Sequence, residues 1–312
     1  MIDLVATVLA GRGAVVLDGG LATELERRGA DLRDPLWSAR VLLDDPDLVR
    51  EVHRSYFEAG AGVAISSSYQ ASFEGFEARG LDRDRTARLL RRSVELAAEA
   101  REDWMQQHGD TGGPPLLVAA SIGPYGAVLA NGAEYTGDYG KTADELLRWH
   151  LPRMEVLAAA GADLLAIETI PSVVEAEALA SALASFPEVP AWISFSCRDG
   201  GHICDGTPFG HAIEVAAAPP NVVAVGLNCT APIHVGPLVE IAASTTDKPV
   251  VAYPNRGAFW DPLRRTWMDP PRQDAAPSLR PAEWFAAGAR LIGGCCGTGP
   301  DDISAIATAL RA

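Results

Sequence analysis

About eight short runs dominated by Val, Ile, Leu and Ala recur along the chain, at residues 14–17, 62–66, 116–120, 164–167, 191–195, 222–226, 249–252 and 290–292. Most are apolar throughout instead of alternating, the pattern of strands covered on both faces, as in parallel sheets joined by crossover helices. The segments between them carry helical spacing. In residues 172–185, Val173, Ala176, Leu179, Ala180 and Leu183 share one face, and Ser172 stands where an N-cap belongs. Residues 82–108 predict a longer helix whose Arg83, Arg85, Arg88, Arg91 and Arg92, set among acids, read as a solvated face. A strand-helix unit repeated about eight times predicts a closed (β/α)8 barrel, with an open doubly wound sheet as the competing arrangement. With no sequence repeat, low-complexity tract or linker, residues 1–312 read as one domain.

Charge narrows the partners. The 26 basic and 41 acidic residues leave a formal charge of −15, which repels phosphate backbones and anionic lipid, so neither nucleic acid nor a membrane surface is expected. The first ten residues lack a basic leader and a cleavage site, and no uncharged apolar run approaches the ~20 residues that span a bilayer. A soluble, cytoplasmic protein is expected. Five cysteines at irregular spacing then point to reduced thiols used for metal binding or catalysis.

The strongest local signal is Gly293-Gly294-Cys295-Cys296-Gly297-Thr298, at the end of the last expected strand. Neighbouring residues of a regular strand point to opposite faces, so two adjacent thiols share an ion only if the backbone turns, and the glycines supply that freedom. Cys229, in Gly226-Leu227-Asn228-Cys229, ends the sixth run. In a barrel, strands six and eight flank strand seven at one rim, which lets Cys229, Cys295 and Cys296 converge on one ion. Soft thiolates favour zinc, and three ligands leave a fourth position open for substrate. Taken alone, Cys229 reads equally as a small buried hydrophobe. A closed structural site completed by Cys197 or Cys204 is the other alternative.

With these residues the chain resembles the homocysteine S-methyltransferase family, specifically its stand-alone members that use S-methylmethionine or S-adenosylmethionine. The likeness runs from Asp18-Gly19-Gly20-Leu21-Ala22-Thr23-Glu24-Leu25-Glu26 to the paired cysteines. Between them lie Leu36-Trp37-Ser38-Ala39, Ser68-Tyr69-Gln70-Ala71, Ser121-Ile122-Gly123-Pro124-Tyr125-Gly126-Ala127, Asp205-Gly206-Thr207-Pro208 and Tyr253-Pro254-Asn255. The resemblance implies a (β/α)8 barrel with zinc on Cys229, Cys295 and Cys296, and leaves Cys197 and Cys204 as bystanders. It also implies that Asp18 and Glu168 receive the ammonium group of L-homocysteine. The amides after Asp18, at Gly19, Gly20 and Leu21, open a helix and are expected to hold the substrate carboxylate. Asn228 and Asn255 are secondary candidates for orienting ligands or substrate.

The implied reaction is attack by the homocysteine thiolate, activated by the metal, on the methyl group of a sulfonium donor. Two long connections, 123–140 and 254–281, are rich in Gly, Pro and aromatics and follow strands on the catalytic face. They read as lids or donor-binding loops, the second equally as a homo-oligomer contact. In the first, Tyr125, Tyr135, Tyr139, Glu134 and Asp138 are candidates to receive the sulfonium. Competing readings are a betaine-dependent enzyme, a non-catalytic zinc-thiolate storage or sensor protein, and a barrel hydrolase. The last lacks a ligand set, because the six histidines form neither a His-x-His nor a His-Glu-x-x-His pattern.

Overall fold

The computed structural model describes residues 4–32, 38–109, 114–256, 259–261, 266–268 and 279–311. Eight parallel strands form one sheet: β1 (Val15–Val16), β2 (Val63–Ile65), β3 (Leu117–Ile122), β4 (Leu164–Ile170), β5 (Ala191–Phe195), β6 (Val222–Asn228), β7 (Val250–Tyr253) and β8 (Ala289–Ile292). Each strand from β2 to β7 pairs with the next in sequence, β8 follows β7, and β1 pairs with β8. Closure between β1 and β2 decides between barrel and open sheet. Leu17 pairs with Val63, the Gly62 amide donates to the Val16 carbonyl at 2.7 Å, and the Asp18 amide donates to the Val63 carbonyl at 3.1 Å. The sheet is a ring.

Alternation within each strand divides the core in two. Inward side chains, among them Leu17, Val63, Ala119, Ala166, Trp192 and Leu291, fill the barrel, and the helix Leu4–Arg12 adds Val5 and Val8 to the same cluster. Outward side chains such as Val118, Ile167, Ile193 and Val225 pack with Leu96, Leu157, Leu179 and Leu238 of the surrounding helices. Full burial of each such side chain contributes roughly 1.5–3 kcal/mol.

The expected helices form with their caps. Ser172 accepts the Glu175 amide at 3.3 Å to start Val173–Leu183, and Asp82 accepts the Arg85 amide at 2.7 Å to start Arg83–His108. On the latter, Arg83, Arg85, Arg88 and Arg91 are exposed, while Arg92 is half-buried and paired with Glu95 and Glu99. The first long connection holds a short helix, Tyr125–Leu129, and a 3-10 turn, Ala133–Tyr135. The second contains an antiparallel ribbon, Phe259–Asp261 against Thr266–Met268; the rest of residues 257–278 lies outside the described residues, as do Leu36 and Trp37. Among the described residues no helix is long and apolar enough to cross a membrane.

Three strands run further than their apolar runs foretell. β3 continues through Ser121, β4 through Glu168 and Thr169, and β6 to Asn228. The hydrophobic pattern stops where the strands enter a polar chamber at their C-terminal ends. That is the catalytic face of barrels of this kind.

Candidate metal centre

Cys229 follows β6 directly, and Cys295 and Cys296 follow β8 after two glycines. The end of β7 splints them together. Tyr253 O accepts the Cys229 amide at 3.1 Å, Pro254 O accepts the Cys295 amide at 2.8 Å, and the Arg256 amide donates to Cys296 O at 2.9 Å. The Asn255 amide donates to Thr230 O at 3.1 Å, and its side-chain Nδ2 lies 3.5 Å from Cys229 O. Four consecutive residues therefore fix the backbone on both sides of the thiol cluster.

Cys229 turns inward through a left-handed backbone, φ 45°, a conformation that costs a non-glycine residue about 1–3 kcal/mol. Among the glycines around the cysteine pair only Gly297 uses positive φ, at 82°. The expectation that Gly293 and Gly294 supply turning freedom is thus corrected. A Cβ on Gly293 would lie 2.6 Å from Leu17 Cβ and 2.8 Å from Asp18 O, and one on Gly294 would collide with Thr298. These glycines permit close approach.

The sulfurs of Cys229 and Cys296 are 3.7 Å apart, those of Cys295 and Cys296 are 3.9 Å apart, and all three lie within 4.8 Å of one another. Tetrahedral zinc with bonds of about 2.3 Å to sulfur requires sulfurs about 3.8 Å apart. The donor set fits. Hydrogen bonds from Cys295 and then Cys296, with the Tyr135 hydroxyl at 3.4 Å, hold the Cys229 thiol well below its ordinary range. The same contact with Cys229 pushes Cys295 and Cys296 up. Among the described residues this is the one group of three metal-ligating side chains, and it includes neither Cys197 nor Cys204. Cys197 is buried, and Cys204 Sγ contacts Ser196 Oγ at 3.4 Å.

Two buried carboxylates share the chamber. Asp18 Oδ2 accepts the Ile65 amide at 2.7 Å, whereas its Oδ1 is buried with no partner. Burial pushes Asp18 well above the usual carboxylate range, and the charge of Glu168 adds to the effect. Glu168 accepts hydrogen bonds from Ser121 Oγ and, at 3.1 Å, from the Tyr253 hydroxyl; burial raises its pKa to about 7. The side-chain and backbone donors that reach these two acids are thus neutral, and Asp18 Oδ1 has none. Two residues beyond Ile65, the Ser67 hydroxyl is also buried without a partner. Sequence reasoning passed over it, although the run Ser66-Ser67-Ser68 at the end of β2 was a visible signal.

The remaining expected residues divide. Asn228 accepts the Thr169 amide at 2.7 Å and Ser194 Oγ at 2.8 Å, and donates to Thr169 Oγ1 at 2.7 Å. Its bonds brace Thr169, which has φ 61° immediately after Glu168. The Gly20 amide is already given to Thr298 O at 3.1 Å, with Thr298 Oγ1 at 3.2 Å, which corrects the expectation of a free amide at that one position. Both Gly19 and Gly20 also allow close contact: an added Cβ would lie 2.8 Å from Tyr56 Cε1 or 2.7 Å from Cys295 O, respectively.

In the first loop, Tyr125 and Tyr139 face away from the thiols. Buried Glu175 accepts the Tyr125 amide at 2.6 Å and the Tyr139 hydroxyl at 3.0 Å, and its Oε1 lies 2.9 Å from His150 Nε2. Burial drives His150 down to about 4, so it is neutral. Asp138 lines an outer cavity of about 440 Å³ with Lys141 and Asp205. Only Tyr135 and Glu134 of that candidate set stand toward the cysteines.

The homocysteine S-methyltransferase family model matches residues 15–310. A relative from Bacillus subtilis, homocysteine S-methyltransferase YbgG, is 48% identical over 95% of this chain and 94% of its own length. A selenocysteine Se-methyltransferase from broccoli (Brassica oleracea var. italica) is 45% identical over 94% of this chain and 88% of its own. The crystal structure of the homocysteine methyltransferase MmuM from Escherichia coli, metallated form, superimposes with a TM-score of 0.86 at 45% identity, covering 98% of this chain and 99% of that one.

Proposed function

The chain belongs to the homocysteine S-methyltransferase family, and on that premise we propose that it transfers a methyl group from a sulfonium donor, S-methylmethionine or S-adenosylmethionine, to L-homocysteine, giving methionine. The observation that carries this reading is three sulfurs spaced for one tetrahedral ion beside two buried acids that lack a cation. Zinc held by Cys229, Cys295 and Cys296 would supply Lewis acidity that keeps a substrate thiol ionised at neutral pH. The same reading makes residues 1–312 one homocysteine-binding domain, working in the cytoplasm where its five free thiols stay reduced.

The protein's own groups bind and orient. Asp18 Oδ1 and Glu168 take the homocysteine ammonium, whose charge replaces the missing counter-ion and draws both acids into their ionised forms. Ser121 and Tyr253 hold Glu168 at a fixed angle, and Asn228 acts through the Glu168–Thr169 backbone as a positioning residue. The orphan Ser67 hydroxyl supplies a donor for the substrate carboxylate. Gly19 and Gly20 shape the floor beneath Cys295. Asn255 holds the Cys229 loop.

Methyl transfer then needs no general base at carbon. The homocysteine thiol proton leaves to solvent, a new bond forms from that sulfur to the methyl carbon, and the donor carbon–sulfur bond breaks with its electron pair returning to the donor sulfur. Anion and sulfonium become two neutral thioethers. The buried setting of the chamber favours that loss of charge, and the protein's contribution is positioning and electrostatics.

The assay is methionine formation by the reduced, zinc-loaded protein with homocysteine and, in separate reactions, S-methylmethionine, S-adenosylmethionine and betaine. Turnover with either sulfonium is expected. Turnover with betaine alone, or with none of the three, would sink this reading.

A further inference from the structure

Glu134, one of five loop residues expected from the sequence to meet the sulfonium, has no role among the groups assigned above to homocysteine and the metal. It sits in the turn Ala133–Tyr135, next to the tyrosine whose hydroxyl lies 3.4 Å from Cys229 Sγ. The side chain is only 9% exposed, and its Oε2 is buried with no hydrogen-bond partner. The backbone beneath it is fixed: Ser196 Oγ donates to Glu134 O at 3.1 Å, and a Cβ on Gly126 would lie 2.5 Å from Glu134 N. Such packing leaves the carboxylate little freedom to swing out to water.

Burial raises its pKa to about 7, with the charge on Cys229 adding to the rise. Tyr69, half-buried, lies close enough to Glu134, Cys229 and Glu168 for their charges to raise its pKa together with burial, so its ring stands within the same chamber. A buried carboxylate with an unpartnered oxygen beside the thiol cluster is unfavourable when ionised unless a positive ligand arrives. Homocysteine brings one ammonium, and Asp18 and Glu168 already account for it. A second cation is missing, and the methyl donor of the proposed reaction is the component that carries one.

We propose that Glu134 is the donor-binding carboxylate, receiving the positive charge of the methyl donor beside the aromatic rings of Tyr69 and Tyr135. This rests on the sulfonium reading above. The cation it meets is either the sulfonium centre or, for an amino-acid donor, the donor's ammonium. Both present the same chemistry to a carboxylate. Where the contact is to the sulfonium centre, Glu134 discriminates the donor from its thioether product, which has lost that charge, and so favours product release.

Binding without turnover isolates the effect. S-methylmethionine and dimethylsulfonioacetate, a sulfonium without an ammonium, are titrated calorimetrically into zinc-loaded protein in the absence of homocysteine, alongside Glu134→Gln and Glu134→Asp. Glu134→Gln is expected to weaken S-methylmethionine at least tenfold while zinc content and homocysteine affinity stay within twofold, and Glu134→Asp, which keeps the charge, to retain part of the affinity. Equal loss for dimethylsulfonioacetate assigns the contact to the sulfonium; loss confined to S-methylmethionine assigns it to the ammonium. S-methylmethionine binding within twofold of wild type in Glu134→Gln, or parallel loss of zinc or homocysteine in both variants, overturns the proposal. Wild-type protein that binds neither probe overturns the sulfonium reading itself, a separate result.

Discussion

The carbonyl of Pro254 accepts the amide of Cys295 at 2.8 Å, and this bond ties the end of β7 to the turn that carries two of the three thiols. One residue earlier Tyr253 holds the Cys229 amide, and two residues later Arg256 holds the Cys296 carbonyl. The thiol geometry is thus a property of β7 as much as of the cysteines. Tyr253 also donates to Glu168, so one strand end braces the proposed metal ligands and the carboxylate proposed to bind the substrate ammonium together.

Replacing Cys296 with serine removes a sulfur that stands 3.7 Å from Cys229 and 3.9 Å from Cys295. Zinc content is expected to fall well below one per chain, and methionine formation by at least about a hundredfold, since two thiolates and a hydroxyl make a harder, weaker site. Elemental analysis beside the activity assay checks both. Retention of both would remove the cysteine pair from the account.

Asp18→Asn and Glu168→Gln each leave one acid for the substrate ammonium. A charge-assisted contact contributes roughly 1.5–3 kcal/mol, so the homocysteine KM is expected to rise about ten- to a hundredfold. Zinc content should not change. Unaltered homocysteine KM in both variants would detach these acids from substrate binding.

The raised pKa of Glu168 has a stability consequence of definite sign. Its folded value of about 7 exceeds the ordinary 4.5, so the substrate-free folded protein holds a proton that the unfolded chain releases. Stability is therefore expected to fall as pH rises from about 4.5 through 7, by up to about 3 kcal/mol for this group. Homocysteine affinity should rise over the same window, because the ionised acid binds the ammonium. Urea unfolding of wild type and Glu168→Gln at pH 5 and pH 8 checks the point: the pH-dependent loss should shrink in the variant.

Glu175 fastens the first loop from behind, bonded to Tyr125, Tyr139 and His150. Glu175→Ala leaves those donors buried and unpaired and deprives fully buried Arg153 of its nearby carboxylate. A destabilisation of roughly 3–5 kcal/mol is expected, measured by denaturant unfolding. A loss below about 1 kcal/mol would show that the loop does not depend on this anchor.

Much of this was readable from residue order. Runs of Val, Ile, Leu and Ala mark the barrel strands because both faces of each strand are covered, and closure of the ring needed only the Leu17–Val63 pairing to decide it. The thiol triad was readable because Cys229 and the Cys295-Cys296 pair end strands on either side of β7. What escaped is polar and buried. Ser67 and Ser121 lie at the ends of strands whose apolar pattern stops before them, Glu168 and Asn228 in the same position are recognisable through the family likeness and not through periodicity, and nothing in the periodicity of Val173–Leu183 marks Glu175 as enclosed. The turn at the cysteine pair was assigned to its flanking glycines, of which only Gly297 has positive φ; Gly293 and Gly294 serve close packing, and Cys229 bears a positive φ of its own. Spacing shows where a chain turns, and tertiary contact decides which residue bears the strain.

The most direct test strips the protein with a chelator under reducing conditions, restores zinc in steps, and follows methionine formation from homocysteine and S-methylmethionine against zinc bound. Activity rising in proportion and saturating at one zinc per chain is the predicted result. Full activity in metal-free protein, or stoichiometric zinc with no methionine from any sulfonium donor, would contradict it.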